Sequence, residues 1–189
     1  MLLNVPNLVT LSRIILIPLL IGVYYAPDDW LGEQARNVAA SGVFIFAGIT
    51  DWLDGYLARR LNQMSAFGAF LDPVADKLIV VSALVVLLYM QRVDMLVALI
   101  IIGREIAISA LREWMAKVGQ AKSVAVAFVG KLKTVTQMVA IPLLLFKDDL
   151  WGLDCQWLGT ILINIAAVLT AASMLYYLRK ALPHASARE

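Results

Sequence analysis

The chain has a single cysteine, Cys155, and a single histidine, His184, in 189 residues. That excludes an internal disulfide framework and any multi-cysteine metal site, and neither residue has a sequence context that suggests catalysis. Charge is scarce too, at 16% Asp, Glu, Lys and Arg, against about 25% in soluble domains. There is no Gly/Ser linker, low-complexity tract or persuasive internal repeat, which leaves a single domain over residues 1–180 and a small polar tail at 181–189. In abundance are apolar residues, 61% of the chain with a mean hydropathy of +0.80, where soluble domains carry about 45–50%. Such a composition rules out an ordinary soluble domain, a disordered or collagen-like chain, and a tail that binds nucleic acid. Its natural solvent is the bilayer, where the few ionisable groups are costly and so mark function.

A membrane helix needs about 20 mainly apolar residues. Six stretches qualify, at 8–26, 34–60, 71–90, 95–115, 124–146 and 158–178, joined by short connections. The expected architecture is therefore all-α, a bundle of six transmembrane helices. A cleaved signal peptide is a poor alternative for the first stretch, which holds Arg13 and is long enough to span. Six spans put both termini on one face, together with the second-to-third and fourth-to-fifth connections. That face collects 13 of the 16 basic residues, leaving Arg36, Arg92 and Lys147 opposite. The positive-inside bias makes it cytoplasmic. Trp30, Trp151 and Trp157 then fall near one interface and Trp52 and Trp114 near the other, as interfacial anchors do.

The most informative charges are four aspartates within 26 positions at the junction of the second and third stretches. Asp51 and Asp54 share a helical face at i,i+3, and Asp72 and Asp76 share one at i,i+4. A turn near 62–67 brings the two faces together. Asp72 before Pro73 also reads as a helix cap with Pro in the first turn, and Asp76 beside Lys77 as an interfacial charge. Asp51 and Asp54 have no such explanation. They end the apolar run 38–49, where an ionised carboxylate costs roughly 2.5–3.5 kcal/mol at mid-membrane and less near the edge. Divalent cations relieve the repulsion of four inward-facing acids. Hard ions such as Mg²⁺ take oxygen ligands and keep positions open for phosphates, and two of them clamp the attacking and leaving oxygens of an in-line phosphoryl displacement. Gly55, Ala58 and Gly68 either clear space for a diphosphate or serve close helix packing. Arg59 is either a phosphate contact or a snorkelling anchor.

The string Asp51-x2-Asp54-Gly55-x2-Ala58-Arg59-x8-Gly68-x3-Asp72-x3-Asp76 resembles the complete signature of the CDP-alcohol phosphotransferase family, at all eight defined positions. Asn4-Val-Pro-Asn7-Leu-Val-Thr10-Leu-Ser-Arg13, Arg104-Glu-Ile-Ala-Ile-Ser-Ala-Leu-Arg112 and Gly130-Lys131-Leu-Lys133-Thr134 are similar to the bacterial members that use sn-glycerol 3-phosphate. The likeness runs over about residues 1–180. It implies a multi-pass homodimer of the bacterial inner membrane, with its site at the cytoplasmic face, that joins CDP-diacylglycerol to sn-glycerol 3-phosphate and releases CMP. It further implies that Asp51, Asp54, Asp72 and Asp76 bind two divalent cations, Mg²⁺ or Mn²⁺, that Asp76 is also the catalytic base, and that Gly55, Ala58, Arg59 and Gly68 line the CDP site. Asn7 and Thr10 are softer candidates for that site.

An alcohol is a poor nucleophile at neutral pH, so a carboxylate must take its proton as attack proceeds. Since the acceptor is itself an anion, it needs cations of its own. Arg104, Arg112, Lys131 and Lys133 are the candidates. Arg104 and Arg112 lie within about 80° on one helical face, and an Arg fork suits phosphate. Arg104 has a competing role as an ion-pair partner of Glu105 or Glu113, and Lys131 as a topology anchor. Other classes fit less well. Intramembrane prenyltransferases carry two distant acidic motifs where this chain has one. A cation transporter would spread its ionisable groups through the bilayer depth, whereas these acids gather at one edge. Synthases of the same family that use inositol phosphate, serine or phosphatidylglycerol as acceptor share the acidic signature, so only the later segments discriminate among them.

Overall fold

The computed structural model describes residues 5–27, 29–61, 66–117 and 128–185. Six helices account for nearly all of them: α1 (Val5–Tyr25), α2 (Glu33–Leu61), α3 (Ala66–Tyr89), α4 (Met95–Lys117), α5 (Phe128–Phe146) and α6 (Cys155–Ala185). Each apolar stretch of the sequence becomes one helix. Helix α1 packs on α2 and α3, α5 on α6 and α2, and α4 on α6. The main core runs through Leu20, Phe44, Leu84, Ile101, Leu144 and Ile163, one from each helix. A smaller cluster of Ile108, Met115 and Tyr177 lies between α4 and α6.

Helix ends at the face opposite the acids are set by local chemistry. Asp94 and Asp154 accept from the backbone N–H groups of Leu96 and Trp157, each at 2.8 Å, and so cap α4 and α6. Helix α3 closes with Gln91 in the left-handed region (φ 55). There Arg92 N donates to Leu87 O and Gln91 N to Leu88 O, the paired bonds of a Schellman end. The buried Arg92 guanidinium then donates to Leu145 O and to Asn37 Oδ1, both at 2.8 Å, tying the last carbonyls of α5 to α2.

One expectation changes. Asp72 does not cap a helix: α3 begins at Ala66, so Asp72 and Pro73 lie inside it, and the carboxylate is free for tertiary contacts. The six helices agree with the expected all-α class, and Asp149–Leu150 and Leu153–Asp154 add a small two-stranded antiparallel ribbon between α5 and α6. Its turn residues Trp151 and Gly152 both have positive φ, 52 and 83, the twist that suits a two-residue hairpin. Helix α6 runs on to Ala185.

The outer surface is apolar. Ile15, Ile49, Val85, Leu99, Val135 and Val168 are exposed, again one from each helix, far beyond the scattered apolar residues of a water-soluble surface. All five tryptophans are exposed as well. Among the described residues, one segment, Cys155–Arg179, is by itself long and apolar enough to cross a membrane, and Thr10–Tyr25 and Leu132–Phe146 are shorter apolar helices.

Close approach of α5 and α6 depends on Gly159. A Cβ there would lie 2.8 Å from Leu144 Cγ and 3.2 Å from Leu144 N, where neither atom is the yielding end of a side chain. Gly159→Ala is expected to destabilise the fold by about 1–3 kcal/mol, read as a lower thermal midpoint of the purified protein. An unchanged midpoint would show that the two helices can part without cost.

Candidate active site

Residues 10 and 13 are three apart on α1 and share a face, and that face meets the acids. Arg13 is 1% exposed. Its Nη1 donates to Asp51 Oδ1 at 2.7 Å and also to Asp76 Oδ1, and its Nη2 lies 3.5 Å from Asp72 Oδ1. Thr10 Oγ1 donates to the same Asp72 oxygen at 2.5 Å. Carboxylates from α2 and α3 thus gather around one guanidinium from α1. The close packing of Asp51, Asp72 and Asp76 requires positive charge between them, and Arg13 supplies it. Gly68, one turn before Asp72 on α3, is buried.

The three carboxylates keep 47%, 44% and 40% of their side-chain surface open, so they remain accessible from the side away from Arg13. Among the described residues no group of three acids, histidines or cysteines closes into a metal cage by itself. The donors at hand are hard carboxylate oxygens drawn to a cation, which suits Mg²⁺ or Mn²⁺ and not a soft metal. The side chains of Asn7, Asp54, Ala58, Arg59 and Lys131, and the surroundings of Gly55, lie outside the described part of the structure.

Asp51 and Asp76 also face a cavity of about 270 Å³ whose other walls carry Glu105, Arg112, Lys133 and Gln137. This joins the acidic cluster to two of the predicted phosphate-binding cations. The volume lies just below the ~300 Å³ floor of ordinary small-molecule pockets, enough for a small polar molecule and too little for a lipid. Within it Lys133, buried on α5, pairs with Glu105 of α4. A separate groove of about 440 Å³ runs between α2 and α5, lined by apolar residues such as Phe44, Ile45, Ile49 and Met138, and ends on Asp51. An apolar channel and a polar cavity therefore meet at one carboxylate.

Arg104 is placed differently from expectation. It lines an apolar groove between α4 and α6 with Leu99, Gly103 and Met174, and is not among the described residues of the polar cavity. It lies 3.4 Å from both Glu105 Oε1 and Ser173 Oγ, which bears out its ion-pair reading; Glu113 pairs instead with Lys117 at 2.9 Å. The guanidinium carbons of Arg104 and Arg112 lie 5.9 and 5.7 Å from the ring centroid of buried Tyr177, so one aromatic ring on α6 holds both arginines by cation–π attraction. Sequence reasoning missed Tyr177, whose partners come from a distant helix, and it counted Arg13 as a topology charge and as part of the N-terminal resemblance without giving it a role in the site. The signal for Arg13 was an arginine inside an apolar span.

Comparison with known proteins agrees with the site. Residues 3–172 match the family described as CDP-alcohol phosphatidyltransferase. The chain is 49% identical over 180 residues to a protein of Escherichia coli (strain K12) named CDP-diacylglycerol–glycerol-3-phosphate 3-phosphatidyltransferase, covering 94% of both chains. Proteins of the same name from Salmonella choleraesuis (strain SC-B67) and Shigella flexneri serotype 5b (strain 8401) are 51% and 49% identical over the same length and coverage. With its acidic signature, its helical architecture and this match along nearly its whole length, the chain belongs to the CDP-alcohol phosphatidyltransferase family of enzymes.

Proposed function

We propose that the protein transfers the phosphatidyl group of CDP-diacylglycerol to sn-glycerol 3-phosphate, forming phosphatidylglycerol phosphate and releasing CMP. The observation that carries this reading is the single cavity in which Asp51 and Asp76 face Arg112 and Lys133. Phosphoryl transfer to an anionic acceptor needs both an acidic metal-binding edge and a separate cationic edge, and the names of the relatives point to the same pair of substrates. Bound divalent cations, Mg²⁺ or Mn²⁺, held by Asp51, Asp54, Asp72 and Asp76, would neutralise the diphosphate oxygens.

The chain's own groups divide the remaining work. Arg112 and Lys133 bind the acceptor phosphate, with Lys131 on the same helix as a further candidate. Asp76 takes the proton of the 1-hydroxyl as it attacks the phosphorus next to diacylglycerol. Gly55, Ala58, Arg59 and Gly68 receive the CDP group together with Asn7, while Thr10 acts through the Asp72 carboxylate it touches. The groove that ends on Asp51 offers an apolar path for an acyl chain. The apolar outer surface and the bias of basic residues support six membrane spans with both termini cytoplasmic, and the family resemblance adds a bacterial inner membrane and a homodimer.

The test is CMP release by the purified protein from CDP-diacylglycerol, with glycerol 3-phosphate, serine, inositol phosphate and phosphatidylglycerol supplied in turn. Glycerol 3-phosphate is expected to be the productive acceptor, and preference for another would overturn the reading. Arg112→Ala and Lys133→Ala should each raise the KM for glycerol 3-phosphate about tenfold to hundredfold, the worth of one charged hydrogen bond, while the KM for CDP-diacylglycerol stays within about twofold. An unchanged acceptor KM in both would move the phosphate site elsewhere.

A further inference from the structure

Among the groups of the polar cavity that these roles leave unused, Gln137 stands out because its hydrogen bonding is incomplete. Gln137 is 4% exposed, yet it lines the cavity, and among the described residues its buried Oε1 has no hydrogen-bond partner. Buried side-chain amides nearly always find partners, and one left without costs free energy. An unpartnered amide in a cavity wall is therefore most economically explained by a ligand that completes it. Gln137 lies on α5 four residues after Lys133, so the two share a face about one turn, 5.4 Å, apart.

The chemistry of an amide narrows what that ligand group is. The unpartnered Oε1 is an acceptor, so its partner must donate: phosphate oxygens only accept, and a cationic donor has the carboxylates of Asp51, Asp76 and Glu105 to pair with. A carboxamide carries one acceptor and one donor side by side, and its natural complement is a hydroxyl, which both donates and accepts. In glycerol 3-phosphate the phosphate and the attacking 1-hydroxyl occupy the two ends and the 2-hydroxyl lies between them. The cavity carries a group for each: the cations Arg112 and Lys133, the carboxylates Asp51 and Asp76, and the neutral Gln137 amide, while the Thr134 hydroxyl already donates to Gly130 O.

We infer that Gln137 binds the 2-hydroxyl of the acceptor and so sets its specificity, an assignment that rests on glycerol 3-phosphate being the acceptor. A wall that pairs with a hydroxyl rejects the analogue that lacks it, because the amide is then left buried and unsatisfied. A phosphate clamp alone would accept any phosphorylated alcohol of the right length.

The experiment compares glycerol 3-phosphate with 3-hydroxypropyl phosphate, which keeps the phosphate and the attacking hydroxyl but lacks the 2-hydroxyl, in CMP release from CDP-diacylglycerol. In the unaltered protein kcat/KM should favour glycerol 3-phosphate by roughly tenfold to hundredfold, the worth of one buried group left without its partner. Gln137→Met keeps the length of the side chain and removes the amide. It should lose this preference through a poorer KM for glycerol 3-phosphate, with the deoxy analogue and CDP-diacylglycerol affected by less than about threefold. A merely structural glutamine would lower turnover with both acceptors alike. Thermal unfolding verifies that the variant is folded, and if it is not, Gln137→Asn, which withdraws the amide by one methylene, carries the same comparison. An unaltered preference in the folded variant overturns the assignment of Gln137 alone, whereas absence of CMP from glycerol 3-phosphate in the unaltered protein overturns the acceptor reading and this assignment with it.

Discussion

Asp76→Asn is expected to lower CMP formation by about 10²–10⁴-fold, the usual contribution of a positioned general base, while CDP-diacylglycerol still binds. Asparagine has the shape of aspartate and keeps one carbonyl oxygen for Arg13 Nη1, but it cannot take a proton from an attacking hydroxyl. Position is the argument for this residue. Asp76 touches Arg13 and also opens onto the cavity with Arg112 and Lys133, so it reaches both the acidic cluster and the acceptor. Asp72 touches Arg13 and Thr10 but is not among the residues lining that cavity. Asp51 does line it, and Asp51→Asn is the informative comparison: as a residue that holds charge without moving a proton, it should weaken binding of the nucleotide lipid together with turnover. Steady-state CMP release and protection of the protein from thermal unfolding by CDP-diacylglycerol separate the two effects. Turnover of Asp76→Asn within tenfold of the unaltered protein would remove Asp76 as the base.

Apolar length was enough to read the helices, because a segment of about 20 apolar residues has few other fates, and each of the six stretches became one helix. The acidic cluster was legible for a related reason. Asp51 and Asp54 end an apolar run without an inexpensive structural role, which points to their convergence with Asp72 and Asp76 on the next helix. What escaped was partnership between distant helices. Nothing in the sequence near residue 13 says that it meets Asp51 and Asp76 at separations of 38 and 63 residues, and nothing near Tyr177 says that α6 brings it to two arginines of α4. Asp72-Pro73 misled because a local rule about caps competed with the continuing helix. Proline inside a helix removes one backbone donor, yet α3 runs through Pro73 from Ala66. About 80° of separation leaves Arg104 and Arg112 on the same half of a helix: Arg112 lines the polar cavity, while Arg104 lines the groove beside α6 and meets the cavity through Glu105 Oε1, which it shares with Lys133.

Arg13→Met is expected to be the most damaging change outside the acidic signature itself. Methionine fits the apolar part of the site but leaves Asp51, Asp72 and Asp76 facing one another with no positive charge among them. Removing one partner of a buried ion pair costs about 3–5 kcal/mol. Here the acids keep two-fifths or more of their surface open to solvent, which screens the remaining repulsion and reduces the expected loss of stability to about 2 kcal/mol. Catalysis should suffer more, by about a hundredfold or beyond, because displacing a reacting group by as little as ~1 Å costs that much, and Arg13 holds carboxylates from two helices in one place. Arg13→Lys keeps the charge but not the fork that reaches several carboxylates at once, so it should recover most of the stability and only part of the rate. A divalent cation offers a second check. In Arg13→Met the repelling acids have more to gain from Mg²⁺, so millimolar Mg²⁺ should raise the thermal midpoint of the variant by more than it raises that of the unaltered protein. Equal midpoints and equal rates for the variant and the unaltered protein would show that the acids are held by the helices alone and that Arg13 is a bystander. A midpoint that falls and then responds to Mg²⁺, together with a rate that lysine restores only in part, would identify Arg13 as the group that holds the acidic cluster in register.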